Sequence, residues 1–218
     1  MKQKRDAKAT KEKILVNARK LFSKQGFDAT TIDDIAQSSG INKALVYYYF
    51  KNKSGLYTDV MTGLFDDIFN EVTKASKNSK SIIEELEIFI KSYAAYAYKH
   101  PYFPALLLGE LSNSGAHLPE MMFASMRRLF LLLSDLLKRG EEEKTFISSM
   151  PMIVHFMILG SINLMITTEP LRKKATNLEN TIDTCSGCSQ EEVAKYVFET
   201  IKKSLIISDK NTQREESK

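Results

Sequence analysis

The chain has 218 residues, 43% hydrophobic and 27% charged, with a formal net charge of +4 and two cysteines. It is long enough to bury a real core and too apolar for a disordered chain, and two cysteines do not make a secreted disulfide scaffold. Met1 to Lys13 is basic and polar with no apolar run behind it, so no secretion signal is expected, and the expected compartment is the cytoplasm.

The charge is uneven. Residues 1–53 hold 12 Lys/Arg against 5 Asp/Glu, a net +7, and the remainder holds 19 against 22, a net −3. A basic end on a slightly acidic body suggests that the first quarter meets a polyanion.

Nearly every segment reads as helix, because β-branched alternation is absent and Gly and Pro are sparse. The expected fold is all-α, with about nine helices. The first runs from about Thr10 to Gln25, with Ile14, Leu15, Ala18, Leu21 and Phe22 on one face and Gly26 as its stop. Thr31 caps the second, with Asp34 three residues on as a capping box, and Ile32, Ile35 and Ala36 point inward. Gly40 suits a tight turn and Asn42 caps a third helix, Lys43 to Tyr49. "KNKSGL" breaks the chain before a fourth helix, Lys53 to Ser76.

"SIIEELEIFIKSYAAYAY" is a long helix, and Pro101 and Pro104 interrupt the next stretch. "PEMMFASMRRLFLLLSDLLKRG" is periodic and expected to stop at Gly140. Met150 to Thr168 is nearly all apolar, but Pro151, His155, Ser161 and Asn163 within it favour a buried helix over a membrane span, so no membrane partner is expected. Glu169 to Ser189 reads as a loop with at most one helical turn. Gln190 to Ile207 is a final amphipathic helix, with Val193, Tyr196, Val197, Thr200, Ile201 and Leu205 on one broad face. Ser208 to Lys218 is expected to be a disordered tail.

Two short helices joined by a glycine turn, behind a longer amphipathic helix, form the pattern of a helix-turn-helix. In that motif the N-terminal residues of the last helix meet base edges in the major groove. Here they are Asn42, Lys43, Ala44 and Leu45. Asn pairs with adenine, Lys donates to guanine, and Ala or Leu touches a thymine methyl. Val46, Tyr49 and Phe50 fall inward, leaving Tyr47 and Tyr48 outside as phosphate partners. Lys51 and Lys53 add charge beside the same backbone.

The stretch "ATTIDDIAQSSGINKALVYYYFKNKSGLY", Ala29 to Tyr57, resembles the TetR (tetracycline repressor) family of bacterial transcription regulators. It has the threonine-capped second helix with Ile-Ala inside, the glycine turn, the Tyr-x-aromatic-Phe ending, and Lys-x-Lys before a leucine. The resemblance covers about Thr10 to Phe65. It implies base or phosphate contacts at Asn42, Lys43, Ala44 and Leu45, and phosphate contacts at Tyr47, Tyr48 and Lys53, with Thr31 at the edge of the site. The implied layout is a DNA-binding domain at 8–68, with its motif at 31–50, followed by a helical effector-binding and dimerisation domain at 69–207. The implied partners are a palindromic double-stranded DNA operator and a second copy, the latter held through the last two long helices, Pro151 to Thr168 and Gln190 to Ile207.

The middle of the chain is the expected chamber for a hydrophobic small-molecule effector. Candidate wall residues are Tyr93, Tyr96, Phe103, Met122, Met126, His155, Phe156 and Asn163, although such residues at helical spacing also serve as core. His155 and Asn163 need polar partners, which another side chain, a ligand or a second subunit would supply. Cys185 and Cys188 form a CxxC without the further ligands of a zinc site, which leaves open a thiol switch or two loop cysteines of no special role. No metal or cofactor motif and no nucleophile–base pattern is present, so catalysis is not expected. A chromosome-organising protein of the same fold is the competing reading.

Overall fold

The computed structural model describes residues 2–118, 120–178 and 185–207; the expected tail at 208–218 lies outside them. Within the described residues the chain is all-α, with ten helices and one isolated antiparallel bridge between Phe146 and Ile206. The helices are α1 (Lys2–Ala29), α2 (Ile32–Ser39), α3 (Lys43–Phe50), α4 (Lys53–Ser76), α5 (Ile82–Lys99), α6 (Tyr102–Ser112), α7 (Glu120–Glu142), α8 (Pro151–Thr167), α9 (Glu169–Leu178) and α10 (Gln190–Leu205). None of them is alone long and apolar enough to cross a membrane.

The chain forms two compact units, Met1–Asp67 with His100–Met126, and Ile68–Lys99 with Arg127–Lys218. They differ from two contiguous halves because α6 packs on α1, which draws residues 100–126 into the first unit. Helices α4 and α7 supply residues to both.

In the first unit, α1 packs against α2 and α6, and α2 against α3. Ile14, Ala18 and Phe22 recur at four-residue spacing and are buried, as are Ile35, Val46 and Phe50. Phe22 meets Tyr57 edge to face at 4.8 Å. The Tyr57 hydroxyl donates to Glu110, a carboxylate only 4% exposed, whose other oxygen accepts from the backbone N–H of His117 at 3.3 Å. The first helix outruns its expected bounds at both ends. Gly26 has φ +79° and breaks the helical backbone there, but Phe27 to Ala29 add a further turn. The Phe27 ring anchors that turn, stacked on His117 at 4.5 Å and edge to face with Tyr57 at 5.0 Å.

In the second unit, α5 packs against α8 and α10, and α8 against α9 and α10. The buried Tyr93 hydroxyl of α5 donates to the buried Oδ1 of Asn163 in α8 at 2.9 Å. Arg139 of α7 grips Glu85 of α5 with two hydrogen bonds, 2.7 and 3.0 Å long.

Three expectations are corrected here. Gly140 does not end α7, which runs on to Glu142. A Cβ at Gly140 would lie 2.1 Å from Cδ2 of the buried Phe146 ring, so the glycine serves a close approach. The loop expected from Glu169 contains a ten-residue helix, α9, supported by Pro170 in its first turn and a Glu169–Lys173 ion pair. The broad face of α10 is split. Val193, Ile201 and Leu205 are buried within the unit, whereas Tyr196 is 80% exposed and Thr200 is also exposed.

Candidate nucleic-acid interface

The interface begins with caps. Thr31 accepts from the backbone N–H of Asp34 while Asp34 accepts from that of Thr31, which fixes the start of α2. The Thr31 hydroxyl and backbone N–H hold the Asp34 carboxyl below its ordinary range. At the other end Gly40 takes φ +62° and closes the helix, with its own N–H on the Ala36 and Gln37 carbonyls. Asn42 then caps α3, its Oδ1 accepting from Ala44 N–H at 2.8 Å. The positive-φ glycine and the two caps set where α3 starts and which residues lead it.

Val46 and Phe50, four residues apart, bury one side of α3. Tyr49 is half-buried, and its ring meets Tyr48 edge to face at 5.3 Å. The opposite side is open, with Asn42, Lys43 and Ala44 exposed, Leu45 40% exposed, Tyr47 44% and Tyr48 78%. Six of the eight residues expected to meet DNA thus lie together on α3 and its cap, and Thr31 is exposed at the start of α2.

Two lysines have partners that the sequence pattern did not reveal. Lys43 pairs with Asp33 of α2 at 2.8 Å, a hydrogen bond that raises the lysine's pKa above its ordinary value. Lys53 turns toward the end of α1, donating to the Phe27 and Asp28 carbonyls at 3.0 and 3.2 Å, and lies over the Phe27 ring at 4.4 Å. Between α3 and α4, Lys51 adopts φ +66° and Asn52 Oδ1 accepts from Gly55 N–H, fixing the start of α4.

The eight candidate chamber residues fall in different units. Phe103, Met122 and half-buried Met126 belong to the first, where Phe103 packs edge to face on Phe65 at 5.3 Å. Tyr93, Tyr96, His155, Phe156 and Asn163 belong to the second. Tyr93 and Asn163 satisfy one another, and burial pushes the Tyr93 phenol up. His155 meets Phe130 edge to face at 5.5 Å, and burial pulls its pKa down to about 4. Phe156 is 60% exposed on α8.

Residues 14–60 match the family described as bacterial regulatory proteins, tetR family. The chain is 25% identical over 165 residues to the probable HTH-type transcriptional regulator YttP of Bacillus subtilis, covering 74% of this chain and 79% of that one. It is 40% identical over 80 residues to IcaR of Staphylococcus aureus, a negative transcriptional regulator of the biofilm operon icaADBC, covering 37% of this chain and 43% of IcaR. A TetR family transcription regulator from Marinobacter aquaeolei VT8 shares the fold at a TM-score of 0.74 and 15% identity, covering 95% of this chain and all of that one. With the capped α2, the glycine turn and the tyrosine-bearing α3 inside the matched segment, residues 14–60 carry the helix-turn-helix module of the tetR family, and the chain is similar to that family's bacterial regulators in sequence and fold.

Proposed function

We propose that the protein is a dimeric repressor that holds a palindromic operator through α3 of each copy and is released by a hydrophobic small molecule. The observation that carries the DNA reading is the open face of α3, where Asn42 to Leu45 lead and Tyr47 and Tyr48 flank. Asn42 to Leu45 reach base edges, the two phenols and Lys53 meet phosphates, and Thr31 adds a contact at the edge. A phosphate draws Lys53 from the carbonyls it now holds.

The dimer reading rests on α8. Ile153, Met157 and Leu164 are 51%, 39% and 52% exposed, and Gly160 completes their stripe with nothing within 4 Å of its missing Cβ. Met152 and Phe156 widen it, and Tyr196 on α10 is also open. A second copy covers such a surface by two-fold symmetry. In the functional division 8–68 reads DNA and 69–207 binds effector and partner. An effector among Tyr93, Tyr96, His155 and their neighbours biases the tilt of α4 and so the separation of the two recognition helices.

The test is selection of DNA from a random pool by the purified protein, followed by binding titrations. A palindromic consensus, bound by the wild type and lost in Lys43→Ala and Tyr47→Ala proteins of unchanged helicity, supports the reading. Unchanged affinity in both variants overturns it.

A further inference from the structure

The CxxC motif plays no part in the function proposed so far. Cys185 and Cys188 sit on a turn closed by a hydrogen bond from Cys188 N–H to the Cys185 carbonyl at 3.3 Å, with Cys185 at φ +50°. Their Cα atoms are 5.1 Å apart, inside the range a disulfide spans, and the two are joined as one. Both are only half-buried, so a small reagent can reach them.

The turn lies between two elements of the second unit. Arg172 of α9 donates to the Cys185 carbonyl at 2.6 Å and also to the carbonyl of Met165 in the last turns of α8. Cys188 is followed directly by Ser189, the N-cap of α10, whose capping box with Glu192 fixes that helix start. One guanidinium therefore links the end of α8 to the dithiol turn, and one residue links that turn to the start of α10.

We propose that Cys185 and Cys188 are a reversible oxidation site for low-molecular-weight disulfides, and that its redox state sets how firmly the first turn of α10 is held. The Cys188 thiolate, beside the positive end of α10, attacks one sulfur of the small disulfide and expels one thiolate. The Cys185 thiolate then attacks the Cys188 sulfur of the mixed disulfide and expels the second. The protein loses two protons and two electrons, and the small disulfide becomes two thiols. Held one turn apart, the two cysteines favour this ring closure over a lasting adduct. The consequence for DNA rests on the regulator reading, since α10 belongs to the proposed dimer surface.

The test uses the full-length chain, reduced with dithiothreitol, freed of it and exposed to oxidised glutathione. Intact mass after alkylation is expected to show loss of two hydrogens, no retained glutathione and full reversal by dithiothreitol. Cys185→Ser is expected to keep glutathione on Cys188. Amide exchange over 190–194 is expected to slow several-fold on oxidation in the wild type and in neither the Cys185→Ser nor the Cys188→Ser protein. Affinity for the selected DNA is expected to change with oxidation only in the wild type. Stable glutathione adducts on the wild type, or a ring disulfide that leaves exchange over 190–194 unchanged, overturn the proposal. Mass and exchange involve no DNA, so failure of the regulator reading is seen separately, in the selection itself.

Discussion

The phenol of Tyr57 on α4 donates a 2.6 Å hydrogen bond to the carboxylate of Glu110 on α6. Tyr57 is 2% exposed and Glu110 4%, so each removes the other from water. Burial first, then the carboxylate, pushes the Tyr57 phenol up, which keeps it a donor at any physiological pH. Tyr57→Phe leaves Glu110 with a lost partner and is expected to destabilise the protein by about 1–3 kcal/mol. Glu110→Gln keeps an acceptor and should cost less. Urea unfolding of both variants measures the difference, and equal losses would contradict a dominant role for the carboxylate oxygen that loses its donor.

Gly140→Ala places a methyl group in the ring of Phe146. Overpacking of this kind costs about 1–3 kcal/mol, so the melting temperature should fall by several degrees. Phe146→Leu in the same chain should recover part of the loss. If the ring of Phe146 did not approach Gly140, alanine in this helical stretch would be neutral or stabilising.

Lys43 and the tyrosines separate by salt dependence. Lys43→Ala should weaken operator binding and reduce the slope of log affinity against log salt by about 1 if the lysine neutralises a phosphate, and leave the slope nearly unchanged if it reads a base. Tyr47→Phe and Tyr48→Phe each remove one hydroxyl and no charge, so both should weaken binding at constant slope. Asp33→Asn frees Lys43 from its ion pair and removes a negative charge beside the interface, so it should tighten binding.

His155 gives a pH signature. Its Nδ1 is buried without a hydrogen-bond partner among the described residues. Its folded pKa of about 4 lies below the ordinary value of 6.5. Between those values the unfolded chain binds the proton more tightly, so stability falls as pH drops from about 6.5 toward 4. His155→Leu should flatten that part of the stability–pH curve. An unchanged curve would show that the imidazole is solvated in solution.

The helix-turn-helix was legible because its signals are local. Thr31 and Asp34 lie three residues apart, Gly40 needs only its own backbone freedom, and the burial of Val46 and Phe50 follows from helical spacing. Helix α9 was hidden because Leu171 is 66% exposed and no apolar stripe marks it. Gly140 was misread because a glycine that ends a helix and one that admits a ring look alike in sequence. The need for a partner at Asn163 was visible, but its identity was not, since Tyr93 lies 70 positions away. Lys53 was expected to face phosphate, and its hold on the end of α1 depends on a packed Phe27 that spacing alone does not place.

The Tyr93–Asn163 pair has a meaning beyond satisfaction. A buried hydrogen bond between two helices works as an alignment key, because sliding α5 along α8 by one turn would pull its two partners apart. Apolar side chains such as Ile90 of α5 and Ile158 and Ile162 of α8, buried on the same two helices, tolerate many registers, and this bond tolerates one. Replacing both partners with apolar residues of matched shape would leave the helices equally willing to associate and less particular about where, trading a single arrangement for several of similar energy.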